Sequence, residues 1–175
     1  MTGAVTTEQW MHAYMEQFRQ LVKEATAAYL AADHLAYVTY PVVKESKMLA
    51  VITEKLYSAL QLAVEALLYH DALYKRIIDI PEHEADRILV FSRVTGKRYG
   101  FDKSATDLLM ELYGLVSKRR QSPLEFARKD HFFIASKNFQ LQMLSFERVK
   151  HFMEEGKRFM NRFNEVVHGL DGRSY

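Results

Sequence analysis

Proline occurs at only three positions in this chain, 41, 81 and 123, and glycine at seven. Between those breaks the apolar residues recur every three to four positions, the spacing of one helix face, and strand-like alternation is almost absent. Proline and glycine are the residues that stop helices, so a chain this sparsely punctuated is driven toward long ones. The sequence predicts an all-α fold, a helical bundle of about five helices in a single domain spanning 1–175. Two helices are expected to be long, near residues 44–78 and 134–168.

The first helix is expected to begin after Thr6 or Thr7, with Thr7 as N-cap and Glu8 and Gln9 in its first turn. Its apolar stripe is Trp10, Tyr14, Phe18, Leu21, Val22, Ala25, Ala28 and Tyr29, and it should end before Pro41. The second helix, about Val43 to Ile78, carries a stripe of Leu49, Ile52, Leu56, Leu60, Ala63, Leu67 and Leu68. Ser58, Ala59, Ala63 and Ala66 are small enough to admit a neighbouring helix. A shorter amphipathic piece follows Pro81, about Glu82 to Val94, and Thr95 to Gly100 reads as a turn. Asp102 or Ser104 caps a helix that ends in Lys118, Arg119 and Arg120, where positive charge suits the C-terminal dipole. Pro123 opens a short segment, and the last helix runs roughly from Ile134 to Val167 and closes at Gly169.

Composition excludes several chemistries. There is no cysteine, so disulfides, thiolate zinc sites and thiol nucleophiles are ruled out together. The net charge of +2 neither demands nor forbids a nucleic-acid partner. No phosphate-loop, dinucleotide or nucleophile-elbow motif is present, and no histidine pair has helical zinc spacing. The opening residues lack a basic segment followed by an apolar one, and no run approaches membrane-spanning length, so a cytoplasmic protein without membrane association is expected. Neither a metal nor a cofactor is expected. The acidic group around His83 reads as a solvated first turn, and the adjacent pair His70–Asp71 faces two ways on a helix.

The remaining chemistry lies on the last helix, in Arg162, Asn164 and His168. His168 suits a general acid or base near neutral pH, Arg162 a phosphate, and Asn164 the orientation of a ligand or of the imidazole. At about 100° per residue, Asn164 and His168 share a face while Arg162 lies about 120° round from His168. Convergence then needs a reaching side chain or a second subunit. The same residues also read structurally, as an Arg162–Glu165 ion pair and a helix ending at His168–Gly169. Lys118, Arg119 and Arg120 form the most basic stretch, a candidate contact for a nucleic-acid backbone.

The two consecutive helices at 17–35 and 46–77 and the late segment RFNEVVHGL together resemble the HEPN superfamily, small all-α domains of prokaryotic toxin–antitoxin and defence systems. That family's pattern is an arginine, four to six residues, then a histidine. Here five residues separate Arg162 from His168, with Phe163 interposed before Asn164. The resemblance implies a homodimer with both motifs at a shared cleft, an RNA- or nucleotide-related role and, in active members, metal-independent ribonuclease activity. Two alternatives belong to other classes. One is a non-catalytic module that binds a cognate protein partner in a two-component, toxin–antitoxin-like system. The other is a small-ligand-binding helical bundle whose aromatic residues line a pocket.

Overall fold

A computed structural model describes residues 7–138 and 140–171, the side chain of Asp171 excepted. The fold is a helical bundle with long helices, joined by one small three-stranded sheet. Helix α1 (Thr7–His34) is already helical at Thr7, and the alternative start at Thr6 lies outside the described residues. Phe18, Leu21, Ala25 and Ala32 are its buried positions, and Ala36 and Tyr40 continue the stripe. The helix does not stop before Pro41. It widens into a π-helical turn at Leu35–Thr39, with the Tyr40 N–H reaching Leu35 O, and ends in the single turn Tyr40–Val43. Proline is tolerated there because it stands in the first turn of the new segment, where its missing N–H costs least. Lys44, at φ 53°, ends it.

Helix α2 (Lys47–Leu73) is the centre of the bundle and packs against α1, α4 and α5. Its predicted stripe is fully buried from Leu49 through Leu68, and Ala59, Ala63 and Ala66 are buried with it, whereas Ser58 is exposed. The periodicity predicts a helix continuing to Ile78, but it stops at Leu73. Lys75 adopts φ 55°, the Lys75 N–H bonds Ala72 O at 2.9 Å and the Arg76 N–H bonds Asp71 O at 2.8 Å. This is a Schellman ending, with lysine where glycine is usual, so no glycine announced it.

Helix α3 (Glu84–Val90), unlike α2, continues beyond its predicted end at Val94. A π-helical turn, Phe91–Thr95, and a last turn, Gly96–Arg98, replace the expected turn at 95–100. Helix α4 (Lys103–Arg120) is capped by Asp102, whose side chain accepts from the Ala105 N–H at 3.1 Å, and it buries Leu108, Leu109, Leu112, Leu115 and Val116 as expected.

The largest correction concerns residues 124–144. Instead of a short segment and the start of a helix at Ile134, the chain forms an antiparallel meander of β1 (Leu124–Arg128), β2 (His131–Ala135) and β3 (Leu141–Leu144). Lys129 and Asp130 make the first turn, with Lys129 at φ 54°. Phe132, Ile134 and Leu144 point to the core, while Phe126 and Phe133 stack on the other face with ring centres 5.1 Å apart. Because both faces carry aromatic residues, the run HFFIA hides its period of two.

Helix α5 (Phe146–Asp171) starts twelve residues later than Ile134. Its buried stripe is Val149, Phe152, Met153, Phe159, Met160, Phe163 and Val167. At Gly156 it comes so close to α2 that an added Cβ would lie 2.6 Å from a Leu56 methyl carbon.

A candidate anion site at the ends of three helices

The C-terminal ends of α2, α3 and α5 meet around a cavity of about 650 Å³, lined among others by His70, Tyr74, Arg76, Arg98, Tyr99, Arg162 and Glu165. Its foundation is Asp71, a fully buried carboxylate in the last turn of α2. A carboxylate is doubly disfavoured there, by desolvation and by the negative end of the helix dipole. Three donors and a further cation offset this. Thr95 Oγ1 donates to Oδ2 at 2.8 Å, the Tyr99 hydroxyl to Oδ1 at 2.9 Å, Arg98 forms a close ion pair through Nη1, and Arg76 Nη1 stands 3.7 Å from Oδ1.

Local backbone geometry delivers these donors. Thr95, Arg98 and Tyr99 are spaced three and four apart, so they fall on one face of the extended α3. The π-helical turn at Phe91–Thr95, closed by the Gly96 N–H on Phe91 O, adds a residue to the turn just upstream and so sets which face that is. On the other side, the Schellman ending of α2 folds Arg76 back over the carboxylate whose own carbonyl it caps.

As neighbours on a helix, His70 and Asp71 leave the backbone about 100° apart. They nevertheless converge on the Tyr99 hydroxyl, which lies 2.7 Å from His70 Nδ1. The hydroxyl gives its one proton to the Asp71 carboxylate, so His70 Nδ1 must be the donor in its own contact with Tyr99. Burial, then the Arg76 charge, pulls the His70 pKa down to about 4, against a smaller opposing pull from Asp71. Burial and the Asp71 charge together push the Tyr99 hydroxyl well above its ordinary range. At neutral pH both rings are uncharged.

Arg162 reaches the same cavity from α5. Its Nε–H donates to Tyr99 O at 2.8 Å, satisfying a carbonyl at the end of α3, and its Nη1 pairs with Glu165 at 3.0 Å, the i, i+3 pair suggested by the spacing. Gly100 makes room for it. The Gly100 N–H bonds Lys97 O at 3.2 Å and the Phe101 N–H bonds Gly96 O at 2.8 Å, a second Schellman ending with Gly100 at φ 70°. An added Cβ would stand 2.6 Å from Arg162 Nη2.

The other two residues of the motif lie elsewhere. Phe163 is fully buried, so Arg162 and Asn164 flank it on opposite sides. Asn164 and His168 are not part of the cavity lining. His168 is exposed, and its Nδ1 is 2.7 Å from the carbonyl oxygen of Asn164. The structure thus brings Arg162 together with His70, Arg76 and Arg98, and leaves His168 on a separate flank of α5.

The basic stretch at the end of α4 is also largely engaged. Arg119 is held by Glu54 and Glu125, each at 2.8 Å, and its guanidinium lies over the Phe132 ring. Arg120 pairs with Glu84 at 3.2 Å, and Lys118 is exposed. Among the described residues no three His, Asp or Glu side chains gather in a way that could hold a metal ion. Comparison with protein-family models, with curated proteins and with solved structures gives no match, so the site rests on its own geometry.

Proposed function

We propose that the chain is an HEPN-like helical domain with an RNA- or nucleotide-related role, and that the cavity binds a phosphate of that ligand. One observation carries the reading: Arg76, Arg98 and Arg162, from three separate segments, line a single cavity. Three guanidinium groups stand there against two carboxylates, Asp71 and Glu165, which leaves a net positive charge. Guanidinium groups suit phosphate because their planar donor array matches its oxygens in pairs. Glu165 is exposed and, among the described residues, bound only through its ion pair with Arg162, so an incoming phosphate can exchange with it at small cost. The Tyr74 ring, half exposed beside Arg76, offers a stacking surface for a base.

In the catalytic version of this role, a metal-independent ribonuclease, His168 and Arg162 act together with Asn164 in support. Because His168 lies off the cavity within one chain, that version requires a homodimer that brings the partner copy's motif to the cleft. The test is fluorescence anisotropy of a labelled single-stranded RNA, with cleavage followed in the same samples in the presence of EDTA. Binding that weakens at least tenfold in Arg162→Ala supports the phosphate site, and binding unchanged by that substitution refutes it. EDTA-resistant cleavage lost in both Arg162→Ala and His168→Ala supports the catalytic version.

A second reading, a module for a cognate protein partner, is favoured by a different surface. Leu124, Phe126, Leu141 and Met143 are exposed together on the outer face of the sheet. A charged substitution on that face, Phe126→Glu, separates the two readings because it leaves the cavity untouched.

A further inference from the structure

The cavity needs more than cations to recognise a nucleotide. Guanidinium groups donate hydrogen bonds and cannot accept them. The Glu165 carboxylate accepts from Arg162 and, as an anion, is the group that an incoming phosphate displaces from it. The Tyr99 oxygen gives its proton to Asp71 and takes hydrogen bonds from His70 at 2.7 Å and from Arg76 at 3.4 Å. His70 is different. With its proton fixed on Nδ1 by the Tyr99–Asp71 chain, the lone pair lies on Nε2, which makes no hydrogen bond among the described residues. The ring lines the cavity beside the three arginines, held between Phe18 and Tyr74.

Building on the phosphate reading, we infer that His70 is the residue that selects the sugar: its Nε2 accepts the hydroxyl next to a phosphate held by the arginines. The ligand class this defines is a ribonucleotide 3′-phosphate, in which the 2′-hydroxyl sits on the carbon adjoining the phosphorylated one. That hydroxyl is also the group that distinguishes RNA from DNA at a contact site. His70 suits the task because the imidazole stays neutral through the physiological range, so the acceptor is always present. Its partners Tyr99 and Asp71 act only by fixing the tautomer, as second partners of histidines commonly do.

The experiment is calorimetric titration of the protein with adenosine 3′-monophosphate and with its 2′-deoxy counterpart. The wild type is expected to prefer the ribonucleotide by about fivefold, the worth of one ordinary hydrogen bond. His70→Phe, which keeps a ring between Phe18 and Tyr74, is expected to bind the two compounds equally. Equal affinities in the wild type overturn the inference and leave the phosphate reading standing, as does a preference that persists in His70→Phe. Failure of both compounds to bind overturns the phosphate reading itself. The wild-type comparison decides the matter even where the variant does not fold.

Discussion

Arg162 donates its Nε–H to the backbone carbonyl of Tyr99 at 2.8 Å, tying the last helix to the end of the third. This contact gives Arg162 two roles. It caps the end of α3, and it carries a guanidinium to the edge of a cavity that already holds two others.

The tie depends on Gly100. Gly100→Ala places a methyl group against Arg162 Nη2 and forces an L-residue into positive φ. The expected loss is about 1–2 kcal/mol in chemical denaturation, together with weaker phosphate binding. Gly114→Ala, inside α4 with nothing within 4 Å of the added Cβ, is the matched control and should gain about 0.5–1 kcal/mol.

Asp71 is the charge on which the other side chains depend. Asp71→Asn leaves Arg98 with no carboxylate partner among the described residues and turns one acceptor oxygen into a donor facing Thr95 or Tyr99. Because the cations left behind, Arg98 and Arg76, are part-exposed, the cost is that of the lost charge-assisted hydrogen bonds, about 1–3 kcal/mol. A urea midpoint within error of the wild type contradicts this.

His70 adds a pH dependence of definite sign. Its folded-state pKa, about 4, lies below the ordinary 6.5, so the unfolded chain binds the extra proton in the interval between them. The stability tied to its neutral form is fully present above pH 6.5 and is lost as the pH falls toward 4, at up to about 1.4 kcal/mol per pH unit. Carboxylates titrate in the lower part of the same range, so the quantity to measure is the difference between wild type and His70→Phe. That difference should widen with pH between 4 and 6.5 and level off above.

Arg119 separates structure from binding at the end of α4. Its side chain is mostly buried and bridges Glu54 and Glu125, so Arg119→Ala should destabilise the fold by about 1–3 kcal/mol. Phosphate affinity, measured where the variant is folded, should stay within about twofold of the wild type. Lys118→Ala, at an exposed position, should change stability by no more than about 0.5 kcal/mol.

The core was legible because it is periodic. Leu49 through Leu68 on α2 and Leu108 through Val116 on α4 repeat at three and four, and all are buried. What escaped was set by backbone geometry with no residue signature. Lys75 ends α2 without a glycine, and two π-helical turns carry helices through positions that read as stops or turns. The sheet was hidden by aromatic residues on both of its faces. The site was half legible. Arg162 stood out by its chemistry, whereas His70 and Arg76 at the end of α2, Arg98 at the end of the third helical segment and Arg162 on α5 are far apart in sequence, and only the meeting of those ends brings them to the same cavity. The one available sign was the polar pair His70–Asp71 at the end of a strongly apolar helix.

The most direct measurement is a nuclear magnetic resonance titration with adenosine 3′-monophosphate that follows the guanidinium Nε–Hε signals. The account predicts that Arg76, Arg98 and Arg162 shift together along a single binding curve, while Arg119 and Arg120 do not move. Shifts confined to the α4 arginines, or none among the cavity three, would contradict it.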